Sequence, residues 1–293
     1  MNMPNLGYLY FKDYYVDYYK NYNKYEKINN KKKIQDYFKD KHNKLFNGIE
    51  KSIEIEKSGN EFLYFKTTYP GVLIGSGLIH SIGVEDESKL GFQFDYTTGL
   101  PVINGSSVKG IIRKIFDLVD EKDEAVEYLK DIILNNNMFK DRLKDYKLKK
   151  YKGNKLDCEY FKKLRNEMFE GITEEKNQPM YRRDIFYEAV IDIEKTSEVN
   201  NEKSICILGE DYITPHKNPL KNPTPIKFIK LMPNIIIRFQ FDLKDGILTK
   251  NEKLYLFSQI ILDFGIGAKT NIGYGRFDDK YIINELKSAE SHT

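Results

Sequence analysis

Two amphipathic helices, far apart in the chain and each set among strand-like runs, limit what this sequence can fold into. In the first, Ser106 is a good N-cap, and Val108, Ile111, Ile112, Ile115, Phe116 and Val119 recur at the spacing of one apolar helical face. The second opens with a capping box, Thr249 to Glu252, presents Leu254, Phe257, Ile261 and Phe264 as its buried side, and meets a stop at Gly265. Phe62, Tyr64 and residues 66–68 read as a strand ended by Pro70 and Gly71. Further strand patterns cover residues 185–193, 204–207, 226–231 and 234–243, the last two able to pair as a hairpin across Met232 and Pro233. Residues 274–277 and 281–283 read as closing strand material. Strand, helix, strands, helix, strand is the order of an α+β chain of the split βαβ, ferredoxin-like kind.

Residues 1–57 are unlike the rest, dense in Tyr, Lys and Asn, and read as a helical N-terminal extension to a main domain over 58–293. Tyr8, Phe11, Tyr15, Tyr18, Tyr22 and Tyr25 recur at spacings of three and four, which predicts one aromatic stripe on a helix. A second helix is expected from Ile34 to Phe46. Packing of these helices on the main domain is the simpler reading, and a docking or base-stacking face is the alternative. Residues 120–180 are charged and helical in pattern and read as an insertion. Between Gly71 and Gly99 the chain carries six glycines, a long excursion of the kind that tends to serve function.

Composition excludes several classes. Forty per cent hydrophobic residues support a sizeable core, and 47 basic against 44 acidic residues leave a formal charge of only +3. Any basic surface must therefore come from local segregation of charge. Cys158 and Cys206 form no CxxC pair, which predicts a reducing compartment with neither disulfide nor zinc site. His42, His80, His216 and His292 form no metal-binding pair. No apolar run reaches the roughly 18 to 20 residues that span a bilayer, and the N-terminus lacks the apolar core of a secretory signal, so a cytoplasmic protein without cofactor or membrane partner is expected.

Two segments have the chemistry to hold an anion. In Pro101-Val-Ile-Asn-Gly-Ser-Ser-Val-Lys-Gly110, Gly105 permits a tight turn while Ser106 and Ser107 offer hydroxyls and amides at a helix start, where the dipole favours phosphate. Lys109 and Arg113 share a helical face, although Arg113 can equally pair with Asp117 four residues on. In Gly265-Ile-Gly-Ala-Lys-Thr-Asn-Ile-Gly-Tyr-Gly-Arg-Phe277, four glycines surround Lys269, Thr270 and Asn271 with Arg276 following and no carboxylate. Such a loop can wrap a phosphodiester backbone. It is not a nucleotide-hydrolysing motif, because Ala268 separates Gly267 from Lys269 and a helix precedes it. A mere structural turn is expected not to need four glycines. Tyr274 is either a base-stacking residue or a core tyrosine. A third stretch, residues 210–219, is a proline-stiffened segment whose His216 either contacts RNA or belongs to a surface connection.

The catalytic inventory is thin. His80 sits in the glycine-rich excursion and could act by general acid–base work, and Glu85, Asp86 and Glu87 could hold Mg²⁺. A lone histidine beside consecutive acids reads first as a polar loop, so no catalytic and no metal-binding residue is assigned.

Taken together, Gly75-Ser-Gly-Leu-Ile-His80, Gly91-Phe-Gln-Phe-Asp-Tyr-Thr-Thr-Gly-Leu-Pro101, Gly105-Ser-Ser-Val-Lys-Gly110, Tyr212-Ile-Thr-Pro-His216, Pro225-Ile-Lys-Phe228 and the terminal glycine loop resemble the RAMP superfamily of CRISPR proteins. Within it the likeness is nearest to the sixth-subunit family of type III-B Cmr complexes. The resemblance implies an RRM-type fold and a place in a multi-subunit ribonucleoprotein, beside other RAMP subunits and near the 3′ end of the guide RNA. It implies a subunit that holds guide and target RNA without cutting. The RNA-contacting residues expected are Gly105, Ser106, Ser107, Lys109, Arg113, Gly267, Lys269, Thr270, Asn271, Tyr274, Arg276, His80 and His216. A RAMP-type endoribonuclease, using His80 or an acid such as Asp86 or Asp95, is the alternative.

Overall fold

In the computed structural model, residues 5–21, 31–50, 55–75, 87, 92–139, 156–213 and 226–279 are described. The chain opens with α1 (Leu6–Tyr8), a π-helical turn over Leu9–Asp13, α2 (Tyr14–Lys20) and α3 (Lys31–Leu45). There follow β1 (Glu61–Lys66), β2 (Val102–Ile103), α4 (Gly105–Asp117), α5 (Asp123–Leu134) and α6 (Cys158–Arg165). A small ribbon of β3 (Ile172–Thr173) and β4 (Lys176–Asn177) interrupts the insertion, which the helical pattern of that region had not suggested. The chain continues through β5 (Ile185–Phe186), β6 (Ala189–Ile191), α7 (Ile193–Asn200), β7 (Leu208–Ile213), β8 (Ile226–Leu231), β9 (Ile236–Asp242) and α8 (Lys250–Phe264).

The central sheet runs β1-β9-β6-β2, with β5 also on β9, and every pairing is antiparallel. Period-two alternation sends Leu63, Phe65, Ile237, Phe239 and Phe241 into the core, where Phe257 of α8 meets Phe241 at 5.5 Å and Phe186 at 5.5 Å. Val108, Ile112, Ile115 and Phe116 of α4 are buried in the same core, so both expected helices cover the sheet in an α+β, ferredoxin-like arrangement. The opposite face is polar and also covered. Arg238 donates to the carbonyl of Ile55 at 2.8 Å, the Gln240 carboxamide takes the Ser58 amide at 3.1 Å, and Thr196 of α7 takes the Ile236 amide at 2.9 Å.

Several expectations fail here. Neither 204–207 nor 274–277 forms a strand, each giving only one isolated bridge, Ile205 to Ile49 and Phe277 to Thr67. The strand pattern of residues 185–193 ends early, because Asp192 caps the Lys195 amide and starts α7. The expected β8–β9 hairpin does not form. β8 pairs with β7 from Leu208↔Leu231 to Ile213↔Ile226, and β9 joins the central sheet instead. The linker explains why: Met232 donates to Ile207, whereas Asn234, in the left-handed region, donates to Thr67, so residues two apart serve different sheets. Phe264 is 38% exposed and packs edge-on against Tyr128 rather than in the core. The aromatic stripe is also rotated. Tyr15 and Tyr18 are buried, but Tyr8 and Phe11 face solvent while Leu6, Tyr10 and Tyr14 are inside. The π-helical turn inserts a residue and shifts the helical phase. Tyr22 and Tyr25 lie outside the described residues.

Tyr10, Tyr14, Tyr15 and Tyr18 pack into the same core as the sheet. Polar ties accompany them: Tyr15 donates to Glu87 at 2.9 Å, and buried His42 bridges Tyr14 at 2.8 Å and Glu210 of β7 at 3.4 Å. Burial and the neighbouring Glu87 carboxylate push the Tyr10 hydroxyl up to about 12. Among the described residues, no helix is long and apolar enough to cross a membrane.

Candidate nucleic-acid interface

The start of α4 is set by packing. A Cβ on Gly105 would come within 2.2 Å of the Phe186 carbonyl oxygen, so only glycine lets the helix begin against β5. The N-cap is consequently Asn104, not Ser106, and Ser107 and Val108 direct their amides to the Asn104 carbonyl. The Ser107 amide is therefore not free for an anion, but the Ser106 and Ser107 side chains are exposed. The Asn104 side chain caps nothing.

Lys109 and Arg113 are spoken for. Lys109 donates to the Phe169 carbonyl at 2.6 Å, and Arg113 pairs with Asp117 at 3.2 Å and Glu170 at 2.5 Å. Both tie α4 to the insertion, so the ion-pair alternative describes Arg113.

The glycine loop folds back on the sheet. Ile266 donates to Gly275, Ala268 to Leu73 and Gly275 to Gly71, each at 2.9 Å. A Cβ on Gly275 would lie 1.8 Å from the Ile266 oxygen, and one on Gly267 2.2 Å from the Leu73 oxygen. Both have positive φ, so the loop's own closure does need its glycines, contrary to expectation. Arg276 donates to the carbonyls of Thr270 and Asp263 and is consumed by the loop.

Tyr274 is 6% exposed, packs on Leu73 and Phe228, and donates to Asp211 at 2.9 Å, so it is a core tyrosine and offers no stacking face. Burial raises the Asp211 carboxyl, but hydrogen bonds from Lys230, the Tyr212 amide and Tyr274 outweigh it and hold the group below its ordinary range. The same carboxylate and burial push the Tyr274 hydroxyl up.

Lys269 differs from these. It is exposed, in the left-handed conformation, with Asn271 exposed and Thr270 half-exposed beside it. It stands at a cleft of about 390 Å³ together with Gly267, Ala268, Asn104, Ser107 and Gln93. The two segments whose chemistry could hold an anion thus meet at one place, with Leu73, Val102, Ile103, Ile229 and Ile266 as apolar walls. Among the described residues, Lys269 is the sole cation of the lining and no carboxylate contributes. Among the described residues, the side chains of Gln93, Asn104, Ser107 and Lys269 have no hydrogen-bond or ion-pair partner.

Gln93 and Asn104 are additions that residue chemistry alone did not single out. Their signal, two amides flanking a Gly-Leu-Pro turn, carries no charge to attract notice.

His80, Glu85, Asp86 and His216 lie outside the described residues. Glu87 is buried against Tyr15. Asp95 accepts from the Thr97 hydroxyl at 2.7 Å and the Thr98 amide at 2.6 Å, bonds that outweigh burial and keep its carboxyl below the usual range. Its geometry is that of a turn-forming aspartate. Among the described residues, no three or more His, Cys, Asp or Glu side chains are grouped to hold a metal ion.

No curated protein sequence matches the chain. Solved structures with a distant likeness include a type III-B Cmr-beta complex bound to cognate target RNA, at 20% identity and a TM-score of 0.43. That match covers 86% of this chain, which spans 66% of the length of the chain it resembles. Cmr6 from Pyrococcus furiosus matches at 21% identity over 74% of this chain and 96% of its own, with a TM-score of 0.40. A type III-A Csm–crRNA–target RNA complex matches at 15% identity over 60% of this chain and 50% of its own, with a TM-score of 0.27. The model of the RAMP superfamily matches residues 64–278, a stretch that includes all of the central sheet but the start of β1, both covering helices and the glycine loop. On that match the chain belongs to the RAMP superfamily.

Proposed function

We propose that this chain is a non-cutting RNA-holding subunit of a CRISPR ribonucleoprotein of the type III-B Cmr kind, gripping the guide RNA backbone near its 3′ end and the guide–target duplex beside other RAMP subunits. One observation carries the reading: segments more than a hundred residues apart bring to a single cleft a lysine, a hydroxyl and amide groups that, among the described residues, are unpaired and have no carboxylate beside them. A phosphodiester needs a donor-rich surface without competing negative charge, and sequence is left to base pairing between guide and target. Most other cations near the cleft are internally paired, which concentrates the available positive charge at Lys269. Two free cysteines fit a reducing cytoplasm.

The test is retardation of labelled guide RNA by the full chain across a salt series. Lys269→Ala should weaken binding and lower the log–log salt slope by about one, as loss of a single phosphate contact does. Lys269→Arg should restore both. Identical affinity and slope for Lys269→Ala and wild type would overturn the assignment.

A further inference from the structure

The cleft is more apolar than backbone binding requires. A phosphate is held at a surface by cations and amides, yet here Leu73, Val102, Ile229 and Ile266, all nearly inaccessible to water, form the walls of a space of about 390 Å³. That size lies within the range of small-ligand sites, which are typically apolar with a few placed polar groups. The polar groups are present: Gln93, Asn104 and Ser107 line the space with their side chains unpaired among the described residues. A carboxamide offers a donor and an acceptor in one plane, the pattern of a nucleobase edge. Charge narrows the ligand further. One lysine balances one phosphodiester, whereas a free nucleotide's polyphosphate would need more cations or a metal, and among the described residues no carboxylate lines the cleft to hold one.

We propose that this cleft takes one unstacked nucleobase of single-stranded RNA, its edge met by Gln93 and Asn104 and its adjoining phosphate by Lys269. This rests on the RNA-holding reading and deepens it, adding a base contact where a purely backbone grip would have none. Ser107, on the same helix start as Asn104, adds a hydroxyl that can contact the ribose or base.

The experiment compares binding of the full chain to a short single-stranded RNA and to a ribose-phosphate oligomer of equal length without bases. Wild type should bind the baseless oligomer about tenfold more weakly, in line with the contribution of one accommodated base. In Gln93→Ala/Asn104→Ala the two oligomers should bind alike, at the weaker level, while thermal melting reports an intact fold. Gln93→Ala alone, which leaves the start of the helix untouched, should narrow the gap part of the way. Equal wild-type affinity for the two oligomers, with Lys269→Ala still weakening both, would overturn the base site and leave the backbone reading standing. Absence of binding to either oligomer at low salt would overturn both.

Discussion

Lys109 and Lys269 carry the same charge, but their surroundings give them different work. Lys109 reaches the Phe169 carbonyl of the insertion, a contact set by tertiary packing and invisible in the sequence around it. Lys109→Ala should therefore cost about 1.5–3 kcal/mol of stability, the range for a hydrogen bond to a charged group, and leave RNA affinity unchanged. Lys269→Ala should do the reverse, which denaturant melts and RNA titrations on the same two variants will separate. Tyr274 shows the same limit on reading chemistry from residue type: its ring was legible as either stacking or core, and only the Asp211 partner decides. Asp211 also fixes a pH dependence. Its folded carboxyl lies below the ordinary value of about 3.9, so its stabilising contribution is complete above that value and is lost as pH falls through the depressed one. Urea unfolding between pH 7 and pH 2 should give Asp211→Asn lower stability than wild type at neutral pH and a shallower acid decline. Parallel curves would refute the role.

At the scale of elements, the sequence spoke most clearly where local rules act alone. The Thr249–Glu252 capping box and the Gly265 stop frame α8 as expected, because caps depend on neighbours three or four residues away. The partner of β8 was not legible, since β7 falls on Leu208–Ile213, between a strand pattern expected at 204–207 and a proline-stiffened segment expected from 210, and only the switch of hydrogen bonding between Met232 and Asn234 selects it over β9. The start of α4 slipped from Ser106 to Asn104 for a similar reason, the carbonyl of Phe186 being distant in sequence. Glycines test these assignments. Gly110 lies inside α4 with nothing within 4 Å of an added Cβ, so Gly110→Ala should stabilise the chain by about 0.5–1 kcal/mol. Gly275 is left-handed and pressed against the Ile266 oxygen, so Gly275→Ala should destabilise by more than the roughly 1–2 kcal/mol of the left-handed conformation alone. Thermal melts of both variants check the opposite signs.

For the whole molecule, the fold explains why two motifs distant in sequence form one site. The glycine loop leaves α8 and hydrogen-bonds to residues 71 and 73 after β1, while β2, pairing with β6 in the same sheet, delivers the start of α4 to the other wall. The candidate site was thus partly legible: the presence of both segments and Lys269 could be read from residue chemistry, but the apolar floor and the idle amides of Gln93 and Asn104 depend on how the sheet closes. The measurement that bears most directly on this convergence is photo-crosslinking to bound guide RNA from probes attached at Ser107→Cys and, separately, Lys269→Cys. The account predicts that both crosslinks map to the same nucleotide or to immediate neighbours. Crosslinks several nucleotides apart, or from one position only, would contradict it.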